Sequence, residues 1–331
     1  MSQIPMRFHA PARWASALVL VLATAGGEPR AQTGTTASQI LETVQLKPNL
    51  HVIFGAGGNI TVQTGTDGVI VVNSGTTEMA DKVLAEIKAI SELPIRAIIN
   101  TSADVHNVGG NAVLAAAGAA FVNNAQLTGT QQGDVLAREE VLLRLSAPTG
   151  EESPVGVSLW PTETYTQRIK SMYVNGEAVQ VMHMPKAHSD GDSVVFFRRA
   201  DVIAVGDIID LRSFPVIDLE KGGSVAGEIA ALNRLLDIAV PPVPLVYKDD
   251  RTLLVPARGR ILDHAELVDY RDMITTVRDI VAAMIEKGMT LPQVQAANPT
   301  AGFRARYGAD TGPWTTEKFV EAVYNDLKKA S

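Results

Sequence analysis

The chain contains no cysteine among its 331 residues. This absence excludes disulfide bonds, thiol nucleophiles, cysteine zinc ligands and a lipid-modified N-terminal cysteine. Positive charge is also scarce, because 29 Lys and Arg against 36 Asp and Glu give a net charge of −7. Since no basic cluster stands out, a nucleic acid or an anionic membrane surface is disfavoured as a partner. Hydrophobic residues make up 46% of the chain, which excludes disorder over most of its length.

The chain also lacks an apolar run of about 20 residues, the length that a membrane-spanning helix needs. Its N-terminal apolar run, residues 14–25, follows Arg7 and Arg13 and ends in small residues. These features predict a secretory signal peptide over residues 1–25. We therefore expect a mature protein that has no membrane span and is exported, to the periplasm or outside the cell.

The rest of the chain divides into a linker over residues 26–45, a main domain over 46–265 and a helical C-terminal extension over 266–331 packed on it. Short apolar runs predict strands, at residues 50–54, 59–63, 69–73, 95–100, 120–123, 178–182, 193–198, 202–205 and 252–256. Helical spacing of apolar residues predicts helices, at residues 79–90, 112–118, 133–145 and 225–236. The polar stretch 146–167 is typical of a long surface loop. This alternation of strands and helices predicts a layered α/β architecture.

Polar residues follow several of the predicted core strands, where α/β proteins place their sites. The first such segment, Asn100–Asn111, reads NTSADVHNVGGN and follows the strand IRAIIN. The others are His183–Asp192 (HMPKAHSDGD), Val205–Asp210 (VGDIID) and Val255–Arg260 (VPARGR).

Taken in this order, the four segments resemble the motifs of the metallo-β-lactamase superfamily, from about Leu50 to Asp263. That family's first motif reads Asn-Thr-His-x-His-x-Asp-His-x-Gly-Gly-Asn, and Asn100-Thr101 and Gly109-Gly110-Asn111 match its two ends without a gap. The resemblance implies an αββα sandwich that holds one or two metal ions, usually zinc, at one edge of its sheets.

The resemblance also implies which residues stand at the seven metal-ligand positions. His188 and Asp207 match the family unchanged. Asp104 stands where the family has a second His, and His106 where it has an Asp, and both side chains can bind a metal. Three ligands are lost, because Ser102, Asn107 and Arg258 replace histidines and a guanidinium stays protonated.

In the family pattern, the first ion here would be held by Asp104, His188 and Asp207, with Ser102 beside it. The second position would keep His106, Asn107 and Asp207 but face the positive charge of Arg258. We therefore expect at most one metal ion, Zn²⁺ or another divalent cation, and we expect Arg258 to pair with Asp207 in place of the second ion.

Two functions remain open. In one, the chain is an exported hydrolase of an ester, lactone or amide bond that acts on a small molecule through one metal. His106 or Asp104 would then act as general base, and Arg258 would stabilise negative charge. Ser102, Asn107 and Asp192 would support the ligands, with Asp192 orienting His188.

In the other, the chain is inactive, binds a ligand or partner and holds no metal. Asp104, Asp207 and Arg258 would then form a polar cluster in place of the ions. No pattern in the sequence indicates an oligomeric state.

Overall fold

The computed structural model describes residues 40–122, 131–147, 151–243 and 251–330, which belong to one compact unit. The predicted signal peptide and the linker as far as residue 39 lie outside these residues. No helix within the described ranges has the length and apolar character needed to cross a membrane.

The described strands form two sheets. The first contains seven strands in the order of the sequence: β1 (Glu42–Lys47), β2 (Leu50–Phe54), β3 (Ile60–Gly65), β4 (Gly68–Val72), β5 (Ile95–Ile99), β6 (Asp134–Arg138) and β7 (Glu163–Tyr165). The second has the order β12-β11-β10-β9-β8, from β8 (Ile169–Val174), β9 (Glu177–His183), β10 (Ser193–Phe197), β11 (Val202–Asp210) and β12 (Leu253–Arg258).

The described α-helices are α1 (Ala80–Ile90), α2 (Val105–Val108), α3 (Asn111–Ala116), α4 (Glu139–Leu145), α5 (Val225–Ile238), α6 (His264–Glu286), α7 (Leu291–Ala296), α8 (Arg304–Tyr307) and α9 (Thr316–Ala330). Two short 3-10 helices cover Thr77–Met79 and Val157–Leu159.

Alternation of apolar side chains along the strands builds three hydrophobic layers. In β4, Ile70 and Val72 face the space between the sheets, whereas Val69 and Val71 face α1 and α3. The third layer lies on the outer face of the second sheet, where α5, α6 and α9 cover the strands. Helices on both outer faces of two packed sheets make an αββα sandwich with a helical C-terminal extension, as predicted.

Several local predictions differ from the structure. The segment 133–145, predicted as one helix, contains β6 followed by α4, because Asp134–Leu136 pairs in parallel with β5 and Leu136–Arg138 pairs in parallel with β7. Residues 120–122 form no strand. The stretch 146–167 contains a 3-10 helix and β7. Strand β1 begins at Glu42, inside the range 26–45 expected to be a linker, because it pairs antiparallel with β2.

Candidate metal centre

The loop after β5 is fixed by side-chain amides before it reaches the site. Asn100 donates to the carbonyl of Asn107 at 2.9 Å, and Thr101 donates through its amide and hydroxyl to Asn73 Oδ1 at 2.9 and 3.0 Å. Gly110 lies so close to Ser74 that a Cβ there would sit 2.2 Å from the Ser74 carbonyl oxygen. The matched ends of the first motif therefore hold the polar residues between them in one conformation.

Asp207 is the centre of the polar cluster. It follows Gly206, whose φ of 60° breaks the β11–β12 ladder and turns the next side chain toward the β5 loop. The Asp207 carboxylate accepts hydrogen bonds from His106 Nε2 at 2.7 Å, Ser102 Oγ at 2.8 Å and Asn107 Nδ2 at 2.6 Å. Burial by itself would raise the pKa of Asp207, but His106, the charge of His188 and the hydrogen bond from Ser102 hold that pKa far below its usual range.

Arg258 is bonded to His106 and not to Asp207. Its Nη2 lies 2.7 Å from His106 Nδ1, and its Nη1 lies 3.9 Å from Asp210 Oδ2. The expected Arg258–Asp207 pair is therefore wrong: the imidazole stands between the two charges. Because a guanidinium only donates, His106 Nδ1 must accept, and the His106 proton sits on Nε2 facing Asp207.

His188 has an oxygen acceptor at each of its ring nitrogens. Its Nδ1 donates to the Val216 carbonyl at 2.7 Å, and its Nε2 faces Asp104 Oδ2 at 3.2 Å. Burial lowers the pKa of His188, but the hydrogen bond to Asp104 and the charges of Asp192 and Asp207 more than reverse this, so its pKa lies well above the ordinary value. With an acceptor at each nitrogen, His188 is an imidazolium as long as no cation replaces its Nε2 proton.

Asp104 is shared between His188 and a lysine. Lys221 Nζ donates to Asp104 Oδ1 at 3.0 Å and also lies 3.1 Å from Asp218 Oδ2. Burial raises the pKa of Asp104, but His188 and Lys221 outweigh burial and the nearby Asp207 and bring it to about 2. Asp104 is therefore a carboxylate at neutral pH. Lys221 was not predicted, because 117 residues separate it from Asp104 and no motif marks it.

The sequence predicts that Asp192 orients His188, but in the structure Asp192 is bonded to Ser189 instead. Its carboxylate accepts from the Ser189 amide at 2.6 Å and the Ser189 hydroxyl at 2.9 Å, and so closes the turn that carries His188. The His188 ring is held by the Val216 carbonyl, a backbone group that no sequence motif reveals. Burial raises the pKa of Asp192 to about 7.

One donor atom from each of Asp104, His188 and Asp207 lies within 4.8 Å of the other two. Two carboxylates and an imidazole are an ordinary donor set for a divalent cation, and the Val216 bond to Nδ1 leaves Nε2 as the ligand atom. The residues fit one metal ion. A divalent cation there has to displace the Nε2 proton of His188 and compete with the ammonium of Lys221 for Asp104.

No protein-family sequence profile matches the chain, and no curated protein matches it in sequence. Solved structures do match in fold. A double mutant of the sec-alkyl sulfatase PisA1 aligns with a TM-score of 0.62 at 15% identity, over 86% of this chain and 50% of that one. A metallo-β-lactamase from Pontibacter korlensis aligns with a TM-score of 0.53 at 15% identity, over 71% of this chain and 99% of that one. VMB-1 aligns with a TM-score of 0.52 at 13% identity, over 72% of this chain and 98% of that one.

The chain has the metallo-β-lactamase fold.

The chain spans half the length of the matched sulfatase and nearly all of the matched Pontibacter metallo-β-lactamase and of VMB-1. Asp104 and His188 lie in the loops that follow β5 and β9, and Asp207 lies within β11. Together they occupy the position where the sequence resemblance predicts the first metal ion. At the expected second position, Asn107 donates to Asp207 and Arg258 bonds His106. Ser102, expected beside the first ion, also donates to Asp207.

Proposed function

We propose that this metallo-β-lactamase-fold protein is an exported hydrolase that uses one divalent cation to cleave an ester, lactone or amide bond in a small molecule. Export rests on the signal-peptide pattern of residues 1–25. Hydrolysis rests on the fold, and the single cation rests on the convergence of Asp104, His188 and Asp207 within 4.8 Å.

When bound, a divalent cation supplies a Lewis acid that polarises a carbonyl and lowers the pKa of water toward neutrality. Asp104, His188 and Asp207 would hold it. Zinc is the first candidate because imidazole suits it, although the two carboxylates also suit manganese or iron.

The remaining roles in hydrolysis are assigned to Asp104, His106 and Arg258. With a pKa of about 2, Asp104 is a weak base and a good ligand, so we assign it to binding. The other candidate for the general base is His106, whose Nδ1 accepts a hydrogen bond from Arg258 at 2.7 Å. The guanidinium has to move off His106 before that nitrogen can take a proton. Arg258, whose side chain is 31% exposed, can then donate to negative charge on the substrate.

A second candidate function is favoured by the contacts of Lys221 and Arg258. Lys221 already contacts Asp104, and His106, which Arg258 contacts, already donates to Asp207, so each carboxylate of the cluster has a partner without a metal. In this alternative the chain is an inactive member of the fold that binds a ligand or partner, and Asp104, Asp207 and the two cations form a structural polar network.

Hydrolysis of activated esters, lactones and a chromogenic β-lactam by the mature chain distinguishes these functions. We expect turnover of at least one substrate class when zinc, manganese or iron is supplied, and its loss on chelation. In His188→Ala, turnover should fall by at least about 100-fold, the upper end of the loss seen when a ligand's supporting contact is removed. His264→Ala is the matched control, because His264 begins α6 away from the cluster.

Turnover that survives both chelation and His188→Ala would contradict the metal mechanism. Absence of turnover with every substrate and metal would favour the inactive alternative.

A further inference from the structure

A large groove lies away from the metal centre, between α5 and the β8–β9 edge of the second sheet. Its first part, of about 1120 Å³, opens where strands β3, β8 and β10 end in turns. Its second part, of about 530 Å³, continues along α5 and shares Ile169, Met182 and Arg234 with the first. None of the residues that line either part belongs to the hydrogen-bonded cluster around Asp207. We call the two parts together the arginine groove.

Positive charge dominates this lining, in a chain whose net charge is −7. The cationic side chains are Lys47, Arg168, Arg198, Arg199 and Arg234. Over the described ranges, none of the five forms a salt bridge, and the four arginines are exposed. The two carboxylates of the lining, Glu177 and Asp201, are already used by other donors.

The wall that carries the arginines is rigidly built. Glu177 is 4% exposed, and its carboxylate accepts from Gln63 at 2.7 Å, Asn49 at 3.1 Å and the backbone amides of Arg199 and Ala200 at 2.9 and 3.1 Å. One buried carboxylate thus ties the β10–β11 turn to the first sheet. This bonding fixes the backbone from which Arg198 and Arg199 project.

The guanidinium of Arg198 is also positioned. It lies over the Phe196 ring, 5.2 Å from the centroid, and donates to Gln180 at 3.2 Å. Arg234, on α5, lines both parts of the groove, and it lines the first part together with Arg198. Planar guanidinium donors suit the two oxygens of a carboxylate or the oxygens of a sulfate.

The second part of the groove is mainly apolar. Met182, Met184, Pro185, Ala230 and Ala231 line it between Arg168 and Arg234. Methionine side chains adapt to unbranched alkyl groups because they are flexible and polarisable. An apolar channel that continues from a cationic mouth fits a ligand with an anionic head and an alkyl stem.

We propose that the arginine groove binds an amphipathic organic anion, a medium-chain fatty carboxylate or its sulfate analogue. The head lies at Arg198 and Arg234, and the stem lies along α5 against Met182 and Met184. This binding is independent of the metal centre.

Titration calorimetry with decanoate tests the proposal on the mature chain. We expect saturable binding by the wild type that weakens with added salt, and at least tenfold weaker binding by Arg198→Gln/Arg234→Gln. Arg278→Gln/Arg304→Gln removes the same charge from sites outside the groove and should bind like the wild type. Binding should also persist in His188→Ala, which disables the metal centre.

A second variant tests the stem. Ala230 is an exposed residue of the second part, so Ala230→Trp narrows that part without changing charge. We expect it to weaken decanoate at least tenfold and to leave the weaker binding of acetate unchanged. Equal binding of decanol and decanoate would overturn the assignment of the arginines to the head. So would loss of binding in His188→Ala, unaltered affinity in Arg198→Gln/Arg234→Gln, or no binding by the wild type.

Discussion

The burial of Glu228 predicts how the free energy of unfolding changes with pH. This residue of α5 is fully buried, and within the described part of the chain neither of its carboxyl oxygens has a hydrogen-bond partner. Burial raises its pKa well above the ordinary 4.5, and the negative charges of Asp192 and Asp207 add to this while His188 opposes it. The folded chain therefore keeps the Glu228 proton at a pH where the unfolded chain has lost it.

The raised pKa of Glu228 makes the free energy of unfolding depend on pH. Below about pH 4.5, both states are protonated and Glu228 adds no pH dependence. Between that pH and the raised pKa, ionisation favours the unfolded chain alone, so the free energy of unfolding falls by about 1.4 kcal/mol per pH unit. Glu228→Gln is neutral in both states and removes this slope. Its stability relative to the wild type should rise with pH by about 1.4 kcal/mol per unit.

Urea unfolding followed by circular dichroism at about pH 5 and about pH 6 measures this difference. Comparing the two proteins at each pH cancels the contribution of Asp192, which both contain. Glu321→Gln, on the exposed side of α9, controls for the loss of a carboxylate at the surface. A wild type and a Glu228→Gln variant that differ by the same free energy at both pH values would show that Glu228 ionises in the folded protein as it does in the unfolded chain.

Three further variants test other parts of the account. Lys221→Met removes the ammonium 3.0 Å from Asp104. It should tighten zinc binding about fivefold, which corresponds to roughly 1 kcal/mol for a partly exposed ion pair, in a competition assay with a chelating dye. Unchanged zinc affinity would show that the lysine does not compete for Asp104. Asn107→His/Arg258→His restores two ligands of the family pattern, and elemental analysis should then find a second ion per chain; a count still at one would contradict the role given to Arg258. Phe319→Ala removes a fully buried ring whose centroid lies 4.7 Å from that of Phe214. The free energy of unfolding, measured with urea, should fall by about 3–5 kcal/mol. A fall below about 1 kcal/mol would contradict the packing of α9 on the second sheet.

The metallo-β-lactamase fold could be predicted from the sequence because its motif ends are matched without a gap and its core strands are apolar. The segment 133–145 shows the limit of this reasoning. The sequence predicts one helix there, but Asp134–Leu136 pairs with β5 and Leu136–Arg138 pairs with β7, so this part is a strand. Pairing with a neighbouring strand outweighed local helix propensity there.

In the candidate site, the sequence located Asp104, His188 and Asp207 but not the contacts that define their charge. Arg258 was paired with the wrong partner because the pattern shows which ligand it replaces and not that His106 lies between it and Asp207. Lys221 lies in a loop without a motif, and the Val216 carbonyl is a backbone group. Contacts between loops more than 80 residues apart depend on the folded geometry.

The number of metal ions per chain tests the central claim most directly. The mature chain, purified without a histidine tag and equilibrated with zinc, manganese or iron, should retain one ion by elemental analysis. It should lose that ion in Asp104→Ala and His188→Ala and keep it in His264→Ala. No retained ion with any of the three metals would contradict the proposed metal centre, and two ions would contradict the assignment of Arg258 to the second position.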